Sequence, residues 1–269
     1  MHTKALENYD FSAQEKMLLI ATKLIVDSNV KSPCTFGGGT ALSAYYWQHR
    51  FSTDIDMFIH TQGKEKPLDL IRPLIRDSEI KKQLKAIGYD DSLKESGISF
   101  PGYYLEISIN THEKIQFFES RGYTDTPYSL GTVFGQTIFI ESIDEIIAKK
   151  IFYRADKANA RDIFDIALAV HKDPMSIKRI LDGGRVKLSH LETLIKALER
   201  VIGDSAAQEL YEIDITMMNP TKTYFKLALK APLYLFDYLY TLHHYRGELT
   251  QEELIAVEQS SYKEKIHNS

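Results

Sequence analysis

Residues 36–58 read FGGGTALSAYYWQHRFSTDIDMF, and this stretch decides the fold because it joins a glycine turn to two carboxylates one residue apart. Asp54 and Asp56 begin a run that alternates polar and apolar residues before it becomes wholly apolar. This pattern predicts a β-strand with both carboxylates on one face and with Ile55 and Met57 in the core. Two hard oxygen ligands on a rigid strand suit Mg²⁺, which completes its coordination with water and substrate phosphates.

Upstream of these acids, three glycines lie between a short apolar run and a segment whose apolar residues recur at helical spacing. Gly38 and Gly39 predict a strand-to-helix turn in which the backbone can approach a ligand closely. Free N–H groups at a helix start attract anions, so Thr40 is a candidate N-cap or phosphate contact. Ser52 could donate its hydroxyl to a phosphate, and Arg50 could pair with a phosphate or with one of the acids.

Each of these motifs has a simpler interpretation when it stands alone. An isolated Asp-x-Asp is common, and a glycine triplet is usually only a turn. The order strand, glycine turn, helix and acidic strand is much more specific, and it favours a site of the nucleotidyltransferase type.

The same residues carry a family resemblance. Gly-Gly-Thr-Ala-Leu, followed by His-Arg-x-Ser-x-Asp-Ile-Asp-Met-Phe, resembles the AbiEii/AbiGii family of nucleotidyltransferase-like toxins in the polymerase beta-like superfamily. A second signature is similar to that family's downstream lysine and Arg-Asp-x-x-Asp segments, and it consists of Lys150-Ile-Phe-Tyr-Arg154 and Arg161-Asp162-Ile-Phe-Asp165. The resemblance covers residues 30–170.

The resemblance implies an α+β fold with two domains. A polymerase beta-like nucleotidyltransferase domain, a mixed sheet with flanking helices, would occupy residues 1–140, and a C-terminal helical bundle domain would occupy residues 141–269. We expect glycine and proline to separate the helices of the second domain. The predicted breaks are at Pro174, Gly183-Gly184, Gly203, Pro220, Pro232 and Gly247.

Local patterns predict the remaining elements of the first domain. Ser12 and Glu15 form a candidate capping box for a first helix that ends near Val26. The segment 67–87 is expected to be helical, and residues 103–118 are expected to form two paired strands. A further short strand is predicted over residues 137–140.

The downstream signature places charged residues on two predicted helices. Lys150 and Arg154 fall beside the apolar stripe of a helix that starts near Ser142, so Lys150 could reach a triphosphate or only cover apolar surface. Asp162 and Asp165 share a face near the start of the next helix, where the helix dipole alone favours acids. By resemblance, Asp162 is the catalytic candidate, either orienting the nucleophile or holding Lys150, in a cleft between the domains.

One position departs from the superfamily pattern. These enzymes carry a third carboxylate on a neighbouring strand, and the best match here is Gln116 in Lys-Ile-Gln-Phe-Phe. A neutral amide is a poor general base and a poor bridge to a second metal. We therefore expect either one well-held Mg²⁺, with Asp162 or Glu119 supplying the missing charge, or a protein that binds nucleotide without turning it over.

The composition restricts how the protein could bind nucleic acid. The net charge of −4 over 269 residues means that nucleic acid must be bound by local basic patches. The candidate patches are Lys81, Lys82 and Lys85, and the group Lys149, Lys150, Arg154, Lys157 and Arg161. The single cysteine excludes an intramolecular disulfide, and the N-terminal eight residues lack the apolar core of a signal peptide, so we expect a cytoplasmic protein.

These observations lead to one main hypothesis, the Mg²⁺-dependent transfer of a nucleoside monophosphate from an NTP to an acceptor hydroxyl. Asp54 and Asp56 would hold the metal, and Asp162 would assist the nucleophile. The triphosphate would be bound by Gly38, Gly39, Thr40, Arg50, Ser52 and Lys150. The resemblance implies an RNA acceptor, such as a tRNA 3′ end, and a cognate antitoxin in a bacterial toxin-antitoxin (abortive infection, phage-defence) system.

Two alternatives remain at the level of sequence. The chain could transfer a nucleotide to a small molecule, as antibiotic-modifying members of the superfamily do. It could instead be a catalytically weak nucleotide-binding module that acts through its helical domain, an interpretation that Gln116 favours.

Overall fold

The structure is a computed structural model that describes residues 9–61, 65–157 and 159–267. The prediction made from the N-terminal eight residues lies outside this described part. Within it, no helix is both long enough and apolar enough to cross a membrane. The chain divides into two compact units. The first comprises the chain up to Gly122 together with Tyr128–Ser142, and the second comprises Tyr123–Pro127 together with the chain from Ile143.

The first unit is built on a mixed sheet. Its strands among the described residues are β1 (Cys34–Gly37), β2 (Ile55–His60), β3 (Gly97–Ser99), β4 (Tyr104–Ser108), β5 (Lys114–Ser120), β6 (Tyr128–Val133) and β7 (Gln136–Glu141). Their order in the sheet is β3-β4-β5-β2-β1-β7-β6. The β2–β5 and β1–β7 pairs are parallel and the other pairs are antiparallel. The expected α+β fold with a mixed sheet is confirmed.

The two strands that the sequence did not predict are the edge strands of the sheet. β3 and β6 end the strand order, and most of their side chains are exposed or only half-buried. Because an edge strand buries little of either face, its sequence lacks the regular alternation that marks β2, β4 and β5.

The central strands separate a buried face from a half-exposed face. In β2, β4 and β5 the side chains alternate strictly between these two environments over most of each strand. The buried side chains include Ile55, Met57, Leu105, Ile107, Ile115 and Phe117. The opposite face carries Asp56, Gln116 and Glu106. This alternation is the reason why the polar side chains of three separate strands share one surface.

The helices of the first unit are α1 (Ser12–Ser28), α2 (Gly38–Thr40), α3 (Pro67–Ile71) and α4 (Ser78–Ala86). α2 continues as a π-helical turn over Ala41–Trp47, and α3 continues as a 3₁₀ turn over Arg72–Arg76. Nearly all of the segment 67–87 is helical, as expected, and the one interruption is at Asp77, where the chain leaves helical geometry and the carboxylate caps α4.

The capping box predicted for the first helix is wrong. Ser12 is the first helical residue, and the N-cap residue, Phe11, has no side-chain hydrogen bond. The carboxylate of Asp10 instead accepts a hydrogen bond from the Ser12 N–H at 2.9 Å. The acceptor at this helix start therefore lies two residues earlier than the sequence pattern indicated.

The second unit is helical. Its helices are α5 (Ile143–Arg154), α6 (Ala160–Lys172), α7 (Ser176–Asp182), α8 (Leu188–Gly203), α9 (Ser205–Met218), α10 (Lys222–His244) and α11 (Gln251–Tyr262), followed by a π-helical turn over Lys263–His267. All the predicted breaks coincide with helix ends or loops except Pro232, which lies inside α10. The predicted boundary between residues 140 and 141 lies close to the change of unit.

The predicted break at Pro232 is wrong for an identifiable reason. Proline lacks the N–H that would bond the carbonyl four residues earlier, which belongs to Ala228. In the structure, the hydroxyl of Tyr211 donates a hydrogen bond to the Ala228 carbonyl at 2.8 Å. A side chain from α9 thus satisfies the group that proline leaves unbonded, and α10 continues through the proline.

Candidate active site

The glycine turn and the acidic strand meet at one place in the sheet. Gly37 lies opposite Asp56 in the antiparallel β1–β2 pair. Gly38 has φ = +68°, a conformation that favours glycine, and a Cβ added there would lie 2.0 Å from Oδ2 of Asp56. Two independent constraints therefore require glycine at position 38. The Asp56 carboxylate packs directly against the backbone of the turn.

The next residue of the turn lies close to a buried arginine. A Cβ at Gly39 would be 2.6 Å from Nη2 of Arg50 and 3.2 Å from Oγ of Ser52. The Arg50 side chain is 2% exposed, and its Nη1 donates to the Phe51 carbonyl at 3.0 Å. The structure therefore brings the predicted phosphate-binding residues Arg50 and Ser52 against the glycine turn.

Thr40 is not an N-cap, because the helix already begins at Gly38 and Gly37 occupies the N-cap position. Thr40 is 1% exposed. Its hydroxyl forms hydrogen bonds with Oγ of Ser52, at 3.0 Å, and with the carbonyl of Asp54. These bonds connect the glycine turn to the chain just before β2. The first role of Thr40 is thus to fix the position of the acidic pair.

The acidic pair itself is half-buried and lies at the start of β2. Asp54 immediately precedes the strand, Asp56 is its second residue, and the side chains of Ile55 and Met57 point into the core as predicted. The described residues contain no cluster of three or more His, Cys, Asp or Glu side chains suited to a metal ion. Two carboxylates nevertheless fit Mg²⁺, which needs only one or two protein carboxylates when phosphates complete its shell.

A buried glutamate that the sequence analysis did not single out lies behind the turn. Glu141 ends β7, is fully buried, and its Oε2 would be 2.2 Å from a Cβ at Gly37. Its Oε1 accepts a hydrogen bond from Thr35 Oγ1 at 3.4 Å and lies 3.8 Å from Nε2 of His60. Glu141 therefore requires glycine at position 37. The strand pairing that brings it there could not be deduced from local sequence.

Gln116 lies on the strand next to the acidic pair, since it is the register partner of Asp56 in the parallel β2–β5 pair. Glu119, three residues further along β5, belongs to the opposite face. There, burial and the nearby negative charge of Asp69 raise the pKa of Glu119, against the effect of Lys66. The expectation that Glu119 supplies the missing charge is contradicted, because its side chain points away from Asp56.

The helical unit contains a second group of charged residues. Lys150 on α5 forms a salt bridge with Oδ1 of Asp162 on α6, and its Nζ is 3.1 Å from Oδ2 of Asp165. Nη1 of Arg154 lies 3.5 Å from Oδ2 of Asp162. Lys150 and the two aspartates are buried, with exposed fractions of 7%, 4% and 0%. The sequence had left two roles open for Asp162, and the structure shows the second of them, a contact with Lys150.

The electrostatics of this cluster keep Asp162 ionised. Burial alone would raise the pKa of Asp162, and the nearby Asp165 acts in the same direction. The positive charges of Lys150 and Arg154, with the hydrogen bond from Lys150, outweigh both effects and hold the pKa of Asp162 below its ordinary value.

A model of the family described as "Nucleotidyl transferase AbiEii toxin, Type IV TA system" matches residues 20–232. The chain belongs to the AbiEii family. It is accordingly a nucleotidyltransferase. The match includes the glycine turn, the acidic strand and the Lys150 cluster, and it extends past residue 170 into α10.

No curated protein matches the chain in a sequence comparison. Among solved structures, JHP933 from Helicobacter pylori is similar at 16% identity, with a TM-score of 0.46 over 93% of this chain and 99% of that chain. The antibiotic-resistance factor ANT(2'')-Ia is similar at 14% identity, with a TM-score of 0.40 over 72% of this chain and 99% of that chain.

The basic patch expected in this AbiEii protein is smaller than predicted. Lys149 and Lys150 are each 7% exposed, and the Nζ of Lys149 lies 3.5 Å from Oε1 of Glu145. Only Arg154, Lys157 and Arg161 of that group are exposed. Helical spacing alone does not reveal that buried carboxylates neutralise these two lysines.

Proposed function

We propose that this AbiEii-family nucleotidyltransferase transfers a nucleoside monophosphate from an NTP to a hydroxyl of RNA in a Mg²⁺-dependent reaction that releases pyrophosphate. The observation that carries the proposal is the contact between the Asp56 carboxylate and the backbone of Gly38. Asp56 therefore lies directly beside the backbone of the glycine turn, where its carboxylate fills the space that a side chain at position 38 would need.

In the sheet unit, we assign separate roles to the acidic pair, the glycine turn and the buried arginine. Asp54 and Asp56 would hold the metal, which when bound offsets negative charge on the phosphates as the new bond to phosphorus forms. Gly38 and Gly39 would let the triphosphate approach the backbone N–H groups. Arg50 would supply positive charge close to Gly39, where the structure places its guanidinium.

For the helical unit we propose that Asp162 accepts a hydrogen bond from the acceptor hydroxyl and that Lys150 binds phosphate charge. What supports the first role is that Asp162 stays a carboxylate at neutral pH, since its pKa is held low. The second role requires Lys150 to share its ammonium between phosphate and the two aspartates that bind it.

The acceptor and the biological partner belong to the same proposal. The family description names a toxin of a type IV toxin-antitoxin system, which supports a cognate antitoxin for this chain. An RNA acceptor, for which we propose a tRNA 3′ end, is supported by the exposed cations Arg154, Lys157 and Arg161, because phosphate contacts dominate RNA binding.

The test is a transfer assay. Purified protein is incubated with Mg²⁺, each α-labelled NTP in turn and total bacterial tRNA, beside the Asp54→Ala/Asp56→Ala variant. Label in RNA that disappears in the variant is the expected result. Label that persists in the variant would overturn the assignment of the acidic pair.

A second candidate function rests on Gln116. Since a neutral amide occupies the position beside Asp56, the protein could bind NTP and act without turnover. Tight NTP binding with no label in RNA, and none in an aminoglycoside offered as a small-molecule acceptor, would favour this function. Label in the aminoglycoside alone would instead indicate a small-molecule nucleotidyltransferase.

A further inference from the structure

Three polar side chains form a row across the half-exposed face of the sheet. Gln116 on β5 is the register partner of Asp56 on β2 and also of Glu106 on β4. Register partners on neighbouring strands point to the same face and lie within reach of one another. The row therefore runs Asp56, Gln116, Glu106, with the amide in the middle and a carboxylate on each side.

The position of Glu106 determines how the amide is oriented. Nε2 of Gln116 donates to Oε2 of Glu106 at 2.7 Å. A carboxylate can only accept hydrogen bonds, so the NH₂ group of the amide must face Glu106, and the carbonyl Oε1 is directed elsewhere. The same carboxylate accepts from Ser108 Oγ at 3.0 Å and lies 3.6 Å from Nζ of Lys114, which hold it in place.

We propose that Glu106 is a positioning residue that turns the Gln116 amide so that its carbonyl oxygen is a neutral third ligand for the cation held by Asp54 and Asp56. This inference rests on the proposed function, since it concerns the same cation. The register of three strands aligns Glu106 with Gln116 and Asp56.

The consequence is a site with two negative charges instead of three. Affinity for divalent cations rises with the number of charged ligands. The site should therefore bind a cation weakly in the absence of nucleotide and more tightly when the phosphates of an NTP contribute their own charge. Gln116 would make metal binding depend on the nucleotide.

The sharpest test exchanges the two side chains. The variant Glu106→Gln/Gln116→Glu keeps the net charge and a hydrogen-bonded carboxylate–amide pair, but it moves the carboxylate next to Asp56. We expect full-length protein with this exchange to bind Mn²⁺ alone about tenfold more tightly than wild type, measured from the free Mn²⁺ signal in electron paramagnetic resonance. The single variant Gln116→Leu should weaken Mn²⁺ binding about fivefold, because it removes an oxygen ligand.

Two controls separate the inference from the function on which it rests. Asp56→Asn should abolish Mn²⁺ binding; if it binds as wild type does, the proposed metal site fails and this inference fails with it. If Asp56→Asn loses the ion while the exchange variant and Gln116→Leu both bind as wild type does, only the role of Gln116 and Glu106 is overturned. Glu95→Gln, an exposed residue of the same unit, gives the effect of an unrelated lost charge. Circular dichroism and urea midpoints show that each variant is folded.

Discussion

The molecule contains two pairs of aspartates that look alike in sequence and differ in their surroundings. Asp54 and Asp56 are half-buried at the start of a strand, where one carboxylate packs against glycine backbone. Asp162 and Asp165 are buried on a helix, where Lys150 contacts both of them. The comparison teaches that the surroundings, and not the acids themselves, separate the two pairs. The helical pair, Asp162 and Asp165, is buried against a lysine that contacts both acids, whereas the sheet pair, Asp54 and Asp56, is half-buried beside a glycine turn. We propose that the sheet pair binds a cation from solution.

The largest expected effect is on catalysis by the sheet pair. Asp56→Asn should lower transfer to RNA about 10³-fold, because several kcal/mol of charge stabilisation by the metal would be lost. Its urea midpoint should stay close to that of wild type, since the residue is half-buried beside backbone. Rates measured with labelled NTP and tRNA test this, and a rate within threefold of wild type would remove Asp56 from the mechanism.

Removing the lysine that contacts the helical pair should lower the free energy of unfolding. Lys150→Met leaves Asp162 and Asp165 buried without their shared lysine, so we expect a loss of about 3–5 kcal/mol in the free energy of unfolding. Adding Asp162→Asn should restore part of this loss, because one of the two buried charges is removed. The exposed Lys157 provides the control Lys157→Met. Equal urea midpoints for both lysine variants would show that the cluster contributes no stability.

Substitution of Gly38 tests whether the position of the Asp56 carboxylate depends on the glycine turn. Gly38→Ala and Gly135→Ala both place a side chain at a left-handed residue, with φ of +68° and +72°, and this backbone strain alone should cost each about 1 kcal/mol of stability. Only Gly38→Ala brings a methyl group against the Asp56 carboxylate, because nothing lies within 4 Å of a Cβ at Gly135.

We therefore expect Gly38→Ala alone to lose about 10²-fold in transfer rate, since a misplaced catalytic group is costly. Assays of both alanine variants at equal folded concentration provide the comparison. If the two variants keep equal activity, the contact between turn and carboxylate has no catalytic importance.

A smaller effect on stability is expected at the Ala228 carbonyl, which accepts a hydrogen bond from the Tyr211 hydroxyl. Tyr211→Phe removes the donor to the Ala228 carbonyl, so we expect a loss of about 1–3 kcal/mol in the free energy of unfolding. In a Pro232→Ala background the same substitution should cost less, because alanine restores the backbone N–H. Tyr240→Phe, at a tyrosine that is 54% exposed, is the matched control. Urea titrations of the four combinations at positions 211 and 232 give the coupling energy, and a coupling near zero would contradict this explanation of α10.

The parts of the fold that depend on local periodicity were accessible from the sequence. The acidic strand alternates with a period of two, so the inward direction of Ile55 and Met57 followed directly. The glycine turn before the helix was also visible, because glycine is the residue that tolerates the required backbone. The position of Gln116 on a neighbouring strand followed from the superfamily resemblance, and the register of β2 and β5 agrees with it.

What the sequence could not provide is pairing between distant segments. Glu141 and Glu106 reach the turn and the amide only through the register of the sheet. Pro232 is tolerated because a tyrosine hydroxyl from another helix replaces the missing donor. Thr40 fits an N-cap pattern, yet it bonds to Ser52 because the helix begins two residues earlier. In each case a tertiary contact overrides the local rule.

The central claim is that the sheet pair takes its cation together with the nucleotide. Calorimetric titration of a non-hydrolysable NTP, with and without Mg²⁺, into wild type, Asp54→Asn/Asp56→Asn and Asp162→Asn tests it most directly. We expect wild type and Asp162→Asn to bind the nucleotide only when Mg²⁺ is present, and the sheet-pair variant not to bind it in either condition. Binding by the sheet-pair variant with the affinity of wild type would contradict the claim.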